Sequence, residues 1–209
     1  NTFGMGLAIA CCITAYLNWE FQETWDEGHA HAAKIYRVQF WQEFQGNANR
    51  YGMAPMALSG YIKQNIKEAD KVVSYMSGYC DMRIGEEVFG DQMVYADSAF
   101  FDLFTYKLKY GNFADFHDRG KVFISDEIAR KYFNTEDVVG RPLTQIVLGA
   151  DGVRRPKEFE IGGVFEKLPL NSSFGFDVIT LFDNFWDVNL DKELTETSWK
   201  RWAHVLWLE

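Results

Sequence analysis

The side chains able to do chemistry are scattered along this chain. Gly28-His29-Ala30-His31 is its one histidine cluster, while His117 and His204 stand alone. On a helix, positions i and i+2 point apart, so one metal ion does not readily take both histidines; capping or surface histidines are the simpler reading. The acidic pairs Asp26-Glu27, Glu86-Glu87 and Glu136-Asp137 have the residue types for general acid and base work. Adjacency along a chain sets no distance across a cleft, however, and each pair reads better as turn or helix-start charge. No serine sits in G-x-S-x-G, no cysteine has a histidine partner in view, and no phosphate-cradling G-x-x-x-x-G-K-[ST] occurs. Gly4-x-Gly6-x-x-Ile9 resembles the dinucleotide fingerprint only loosely, without a strand before it and with a bulky third residue. No catalytic, cofactor-binding or metal-binding residue is assigned, no cofactor is expected, and the chain does not read as an enzyme.

The element that organises the chain is its beginning. Residues 1–19 carry no charge, and 3–17 read FGMGLAIACCITAYL. Then Glu20, Glu23, Asp26 and Glu27 arrive among Trp19, Phe21 and Trp25. An apolar run of about seventeen residues spans roughly 26 Å as a helix, slightly short of the ~30 Å hydrocarbon slab. An aromatic and then acidic collar suits a membrane helix emerging on the non-cytoplasmic side, where Lys and Arg are scarce. The absence of an initiator Met leads us to expect a start inside a longer span. Two other readings compete: a buried helix of a soluble domain, and a cleaved signal peptide, which lacks a basic n-region and a clear A-x-A site. Trp19, Phe21 and Trp25 either anchor the junction and couple helix to domain, or simply pack against it.

Bulk properties narrow the class. The 209 residues suffice for one large domain or two small ones. Aromatics are high at 17 %, and their strand or helix spacing favours core packing over a sugar-stacking platform. A net charge of −9 argues against nucleic acid, which needs clustered Lys and Arg. It argues equally against an anionic lipid surface as the main partner. Cys11 and Cys12 sit in the apolar run and Cys80 is alone, so neither a disulfide scaffold nor a metal site is indicated.

Along the chain, periodicity and turn residues predict a short helical link over 29–34, a strand over 35–40, and a polar loop or hairpin tip over 46–52. Pro55 suits a first helical position before Leu58, Tyr61, Ile62 and Ile66. A strand follows over 72–76. Glycines at 85 and 90 suggest a meander of short strands over 82–95. Asp97 or Ser98 is placed to cap a helix over 99–104, and Gly111-Asn112 to turn the chain. Ser125 is placed to cap a helix over 126–133 that Asn134 ends, with Asp126 and Glu127 complementing its dipole. Strands are expected over 141–148 and 158–165 around Ala150-Asp151-Gly152, and over 173–182. The apolar run 199–208 ends without a stop signal, which suggests a domain cut before its last elements.

The order of these pieces is familiar. Val94-Tyr95-Ala96-Asp97-Ser98-Ala99-Phe100-Phe101-Asp102-Leu103-Phe104, then Leu108-x-Tyr110-Gly111-Asn112, resembles the signature of MacB-type periplasmic core domains in FtsX-like ABC transporter permeases. The resemblance continues in Val122-Phe123-Ile124-Ser125 with Ala129-Arg130-Lys131-Tyr132-Phe133, in Gly140-Arg141-Pro142-Leu143, and in Gly163-Val164-Phe165-Glu166-Lys167-Leu168-Pro169 followed by Asn171-Ser172-Ser173-Phe174. Upstream, Ala33-Lys34-Ile35-Tyr36-Arg37-Val38 is similar to the family's opening strand. No single piece is specific; their succession over nearly the whole chain is. One departure is Lys67-Glu68-Ala69, where the family commonly has Pro-Glu-Val.

The resemblance implies an α+β fold preceded by the end of a transmembrane helix (1–19). A porter-like strand–helix–strand part would occupy 20–77, an inserted strand-rich Sabre-like part 78–169, and an incomplete return to the porter-like part 170–209. It implies a domain in the periplasm, held at the inner membrane with lipid around residues 1–19. Expected partners are a cytoplasmic ABC ATPase subunit that carries ATP hydrolysis, a homodimeric or paired permease, and a periplasmic adaptor, lipoprotein or outer-membrane channel. The implied role is mechanotransmission, in which ATP-driven closure passes along the first membrane helix to the domain. The alternative is a membrane-anchored periplasmic binding module for a glycan or an envelope protein, without transport.

Overall fold

The computed structural model describes residues 2–149, 151–188 and 202–208, with Phe44 described by its backbone alone. α1 (Thr2–Glu23) stands free of the rest, and none of its residues is buried. Phe3 is 86 % exposed and Leu17 55 %, so this is not the core helix of a soluble globule. It passes Trp19 by four residues, because the carboxylate-bearing turn 20–23 contains no breaker. Thr24 then folds its hydroxyl back onto the Glu20 carbonyl at 2.9 Å, and Asp26 turns the chain at φ 60°.

A short 3-10 turn (Ala32–Lys34) leads into β1 (Ile35–Arg37). The strand expected over 35–40 breaks at Val38-Gln39. Beyond it, β2 (Phe40–Phe44) and β3 (Asn47–Tyr51) form a separate hairpin turning at Gln45-Gly46, so most of the expected loop 46–52 is strand. Pro55 belongs to β4 (Ala54–Pro55), opposite Trp202, and precedes α2 (Ala57–Asn65) instead of opening it. β5 (Lys71–Ile84) and β6 (Glu87–Ala96) replace the expected meander with one long hairpin. α3 (Phe100–Leu103) has no side-chain cap; the Asp97 carboxylate instead accepts the Ser74 N–H at 2.9 Å.

β7 (Leu108–Gly111), β8 (Lys121–Ser125) and α4 (Asp126–Phe133) follow. Here the local signals suffice: Ser125 Oγ accepts the Ile128 N–H at 3.2 Å, and Asn134 ends the helix at φ 60°. β9 (Pro142–Leu148) and β10 (Arg154–Phe165) make the expected hairpin. The strand expected over 173–182 shrinks to β11 (Val178–Leu181), since 171–173 are tied elsewhere. α5 (Phe185–Val188) and β12 (Trp202–Leu208) complete the described elements. Of the apolar run 199–208, positions 199–201 lie outside the described residues.

The fold is α+β with one mixed sheet of ten strands among the described residues, ordered β1-β12-β5-β6-β11-β8-β10-β7. β4 joins β12, and β9 pairs with both β10 and β5. The β11–β6 and β10–β8 pairs are parallel; the others are antiparallel. Because β9 bonds to β5 through Asp81, Met82 and Arg83 as well as to β10, the path β5-β6-β11-β8-β10-β9 closes on itself. Alternation along these strands sends side chains to two cores. Met82, Met93, Tyr95, Val122, Ile124 and Val178 enter one, covered by α4 and α5. Val94, Phe123 and Ile179 enter the other, with the phenylalanines of α3 and of the loop at 174–176. At the ring's seam the buried Gln145 donates Nε2–H to the Tyr95 hydroxyl at 2.6 Å.

Candidate functional site

The place where α1 meets the domain is densely hydrogen-bonded. Asp26 donates its N–H to the Asn171 carbonyl at 2.9 Å. Its carboxylate accepts the Ser173 N–H at 2.7 Å and the Ser173 hydroxyl at 2.5 Å. Asn171 Nδ2 donates to the Thr24 carbonyl and to Thr24 Oγ1, each at 3.0 Å. Trp25 donates its indole N–H to Ser173 Oγ at 3.0 Å. Each of the three residues that follow the helix is thereby tied to the loop that leaves β10. Charge-assisted bonds such as those to Asp26 are roughly twice as strong as neutral ones.

A second tie follows within one turn. The Ala30 N–H donates to Thr105 Oγ1 at 2.9 Å, and the Thr105 N–H donates to His29 Nδ1 at 3.1 Å. The imidazole is 6 % exposed and wedged between rings, with centroids 5.2 Å from Phe104 and 5.8 Å from Phe174. Burial lowers the His29 pKa from its usual value, and the Asp26 carboxylate opposes this without reversing it. His29 is thus a buried wedge, where the simpler reading had been a capping or surface histidine, and its neighbour His31 is exposed.

From this joint, ring contacts run into the sheet. Phe174 lies 4.2 Å from Phe104 and 5.6 Å from Tyr75 on β5, and Tyr75 stacks on His204 of β12 at 4.5 Å. From Tyr75 to the turn at Gly85, β5 extends ten residues, roughly 33 Å at the usual strand rise. Asp26 is thus connected through Ser173 and Phe174 to Tyr75 on one continuous strand, β5. The three junction aromatics divide. Trp25 bonds to Ser173 and meets Phe21 edge-on at 5.7 Å, whereas Trp19 lies back along α1 against Tyr16 at 5.9 Å.

The other candidates separate in space. Glu86 is on the exposed β5–β6 turn. Glu136 pairs with Lys109 and Arg130 beside Asp126, whose side chain is 7 % exposed. Burial alone would raise the Asp126 pKa, but Lys109, the Lys167 N–H and Arg130 outweigh it and hold it below the usual value. This cluster braces the start of α4. His204 Nδ1 lies 3.1 Å from the Gly52 carbonyl. The Cys80 thiol is pushed up to about 12 by burial and is no nucleophile at neutral pH. Among the described residues no group of three or more His, Cys, Asp or Glu is placed to hold a metal. Sequence reasoning gave no role to Asn171, Ser173 or Thr105. Asn171 and Ser173 stood out only as part of the family's Asn-Ser-Ser-Phe motif, and Thr105 carried no signal.

Solved structures share this architecture. A domain assigned to a permease protein of Porphyromonas gingivalis matches at TM-score 0.69 and 21 % identity, over 87 % of this chain and 75 % of that one. The periplasmic region of MacB from Actinobacillus actinomycetemcomitans matches at TM-score 0.56 and 12 % identity, over 87 % and 76 %. The extracellular domain of the ABC-type transporter YknZ from Gram-positive bacteria matches at TM-score 0.50 and 14 % identity, over 83 % and 81 %. Comparison with curated proteins gives no match. A mixed-sheet head of this shape is the fold these domains share, and here it carries an apolar helix long enough to cross a membrane. The chain belongs to the MacB-like periplasmic core domain family, whose profile matches residues 1–201.

Proposed function

We propose that this domain works by mechanotransmission: α1 moves with the membrane part of an ABC permease, and the joint at 24–30 delivers that movement to the periplasmic head. The observation that carries the reading is the double tie of Asp26 to Ser173 and His29 to Thr105, which leaves the helix no slack against the head. ATP hydrolysis then belongs to a cytoplasmic ATPase subunit, the membrane is the inner one, and the permease acts as a homodimer or a pair. A periplasmic adaptor, lipoprotein or outer-membrane channel would receive the movement. In this scheme 20–77 and 170–209 form the porter-like part and 78–169 the Sabre-like part. β5 crosses the 77/78 boundary unbroken and serves both as a shared rib.

The test uses the whole permease with its ATPase in nanodiscs, spin-labelled at Tyr16→Cys and Glu86→Cys in a background without the native cysteines. ATP should change the distance between the Glu86 labels of the two paired copies and leave the Tyr16–Glu86 distance within one copy unchanged. Asp26→Ala combined with Ser173→Ala should abolish that change while ATPase activity persists. An unchanged response in the double variant, or no ATP response in the parent, would sink the reading.

A further inference from the structure

Beside the joint lies a cavity of about 290 Å³ bordered by Asp26, His29, Arg37, Tyr75, Phe104 and Phe174. We propose that it holds the zwitterionic headgroup of a membrane phospholipid of the phosphoethanolamine type. The inference rests on reading α1 as a membrane span.

Three observations converge on it. The first is position. α1 ends at Glu23, four positions beyond Trp19, about 6 Å of helix rise. That is close to the ~5–7 Å interfacial layer on each side of a bilayer's hydrocarbon core. Asp26 opens the cavity just beyond. Leu170, next to the Asn171 that grips Thr24, is 88 % exposed on the same loop, as a residue dipping among lipids would be.

The second is charge. Arg37 faces the cavity, and among the described residues it has no carboxylate within ion-pair distance. Its neighbours are the Tyr75 hydroxyl and the His204 ring, which feel its charge, and the backbone of Gly52. A planar guanidinium with free donors is suited to two oxygens of a phosphate. Asp26, on the same cavity, accepts from Ser173 but keeps lone pairs that a carboxylate can still offer. One wall thus suits a phosphate and another an ammonium group.

The third is the aromatic lining. Tyr75, Phe104 and Phe174 form a contiguous surface, with Phe174 between the other two. Aromatic faces attract an ammonium. The acidic collar of Glu20, Glu23 and Glu27 repels lipids with a net negative charge, so a neutral zwitterion is selected over phosphatidylglycerol.

The whole chain in detergent micelles is titrated with phosphatidylethanolamine or phosphatidylglycerol and examined by native mass spectrometry. One phosphatidylethanolamine should be retained per chain at a level at least tenfold above phosphatidylglycerol. Arg37→Gln should reduce that retention at least fivefold, and Arg50→Gln, on the separate hairpin, should leave it unchanged. Equal retention of the two lipids, or no effect of Arg37→Gln, overturns the inference. So does binding of free phosphoethanolamine as tight as that of the lipid, which would make this a site for a soluble ligand. Flotation with phosphatidylethanolamine vesicles tests the span separately: a chain that stays behind refutes the span, whereas one that floats with an inert Arg37→Gln refutes only the headgroup site.

Discussion

The Thr105 N–H donates to His29 Nδ1 at 3.1 Å, so the buried imidazole must carry its proton on Nε2. Protonating Nδ1 would set one N–H against another and charge a ring held among phenylalanines. The folded state therefore lowers the His29 pKa, chiefly by burial. Where the folded pKa is lowered, the unfolded chain binds more protons, and stability rises with pH. Its contribution is complete above about 6.5 and is lost as pH falls through the lower, folded value. Burial lowers the His204 pKa too, with the same sign. Melting temperatures between pH 7.5 and 5.0 should fall for the parent chain and fall less for His29→Asn.

Cutting the first tie should cost measurable stability. Asp26→Ala removes a carboxylate that accepts two hydrogen bonds and should destabilise by roughly 1.5–3 kcal/mol. Ser173→Ala should cost less, since the Ser173 N–H still reaches Asp26. Denaturant melts give both values. Amide exchange should accelerate at 171–174 in either variant before it changes at β8.

Gly111 marks a backbone approach that no other residue fits. It sits at φ 90°, and a Cβ there would lie 2.2 Å from the Gly162 carbonyl oxygen of β10. Gly111→Ala should therefore cost several kcal/mol, combining left-handed strain with a backbone clash. Gly60→Ala in α2 meets nothing within 4 Å and should be neutral or stabilise by up to about 1 kcal/mol. Thermal melts of the two variants should move in opposite directions or differ widely.

Ser125→Ala should destabilise by about 1 kcal/mol by losing the cap of α4. A larger loss is expected if the Asp177 carboxylate, which accepts the Ser125 hydroxyl at 2.5 Å, is left without that donor. Asp177→Asn in the Ser125→Ala background separates the two contributions by equilibrium unfolding.

What could be read from the residues was local. α4 was legible from end to end because its cap, dipole charges and left-handed stop all lie within ten residues. The β5–β6 hairpin was not, because the glycines at 85 and 90 both look like turns. Only Gly85 takes a positive φ there. Gly90 lies within β6, where a Cβ would collide with the Tyr79 ring, so it makes room for an aromatic. The apolar helix and the family's motif order were visible; the joint was not. Its partners are 147 positions apart in sequence, and periodicity carries no information at that range. The burial of His29 was hidden for the same reason, since Phe104 and Phe174 come from distant loops.

The closure of six strands into a ring has a consequence for how the head would behave under load. An open sheet can twist and absorb a push at one corner as bending. A hoop stitched shut by β9 has no loose margin along which to yield, so a tug applied at its base arrives at the opposite rim as a tilt of the whole body.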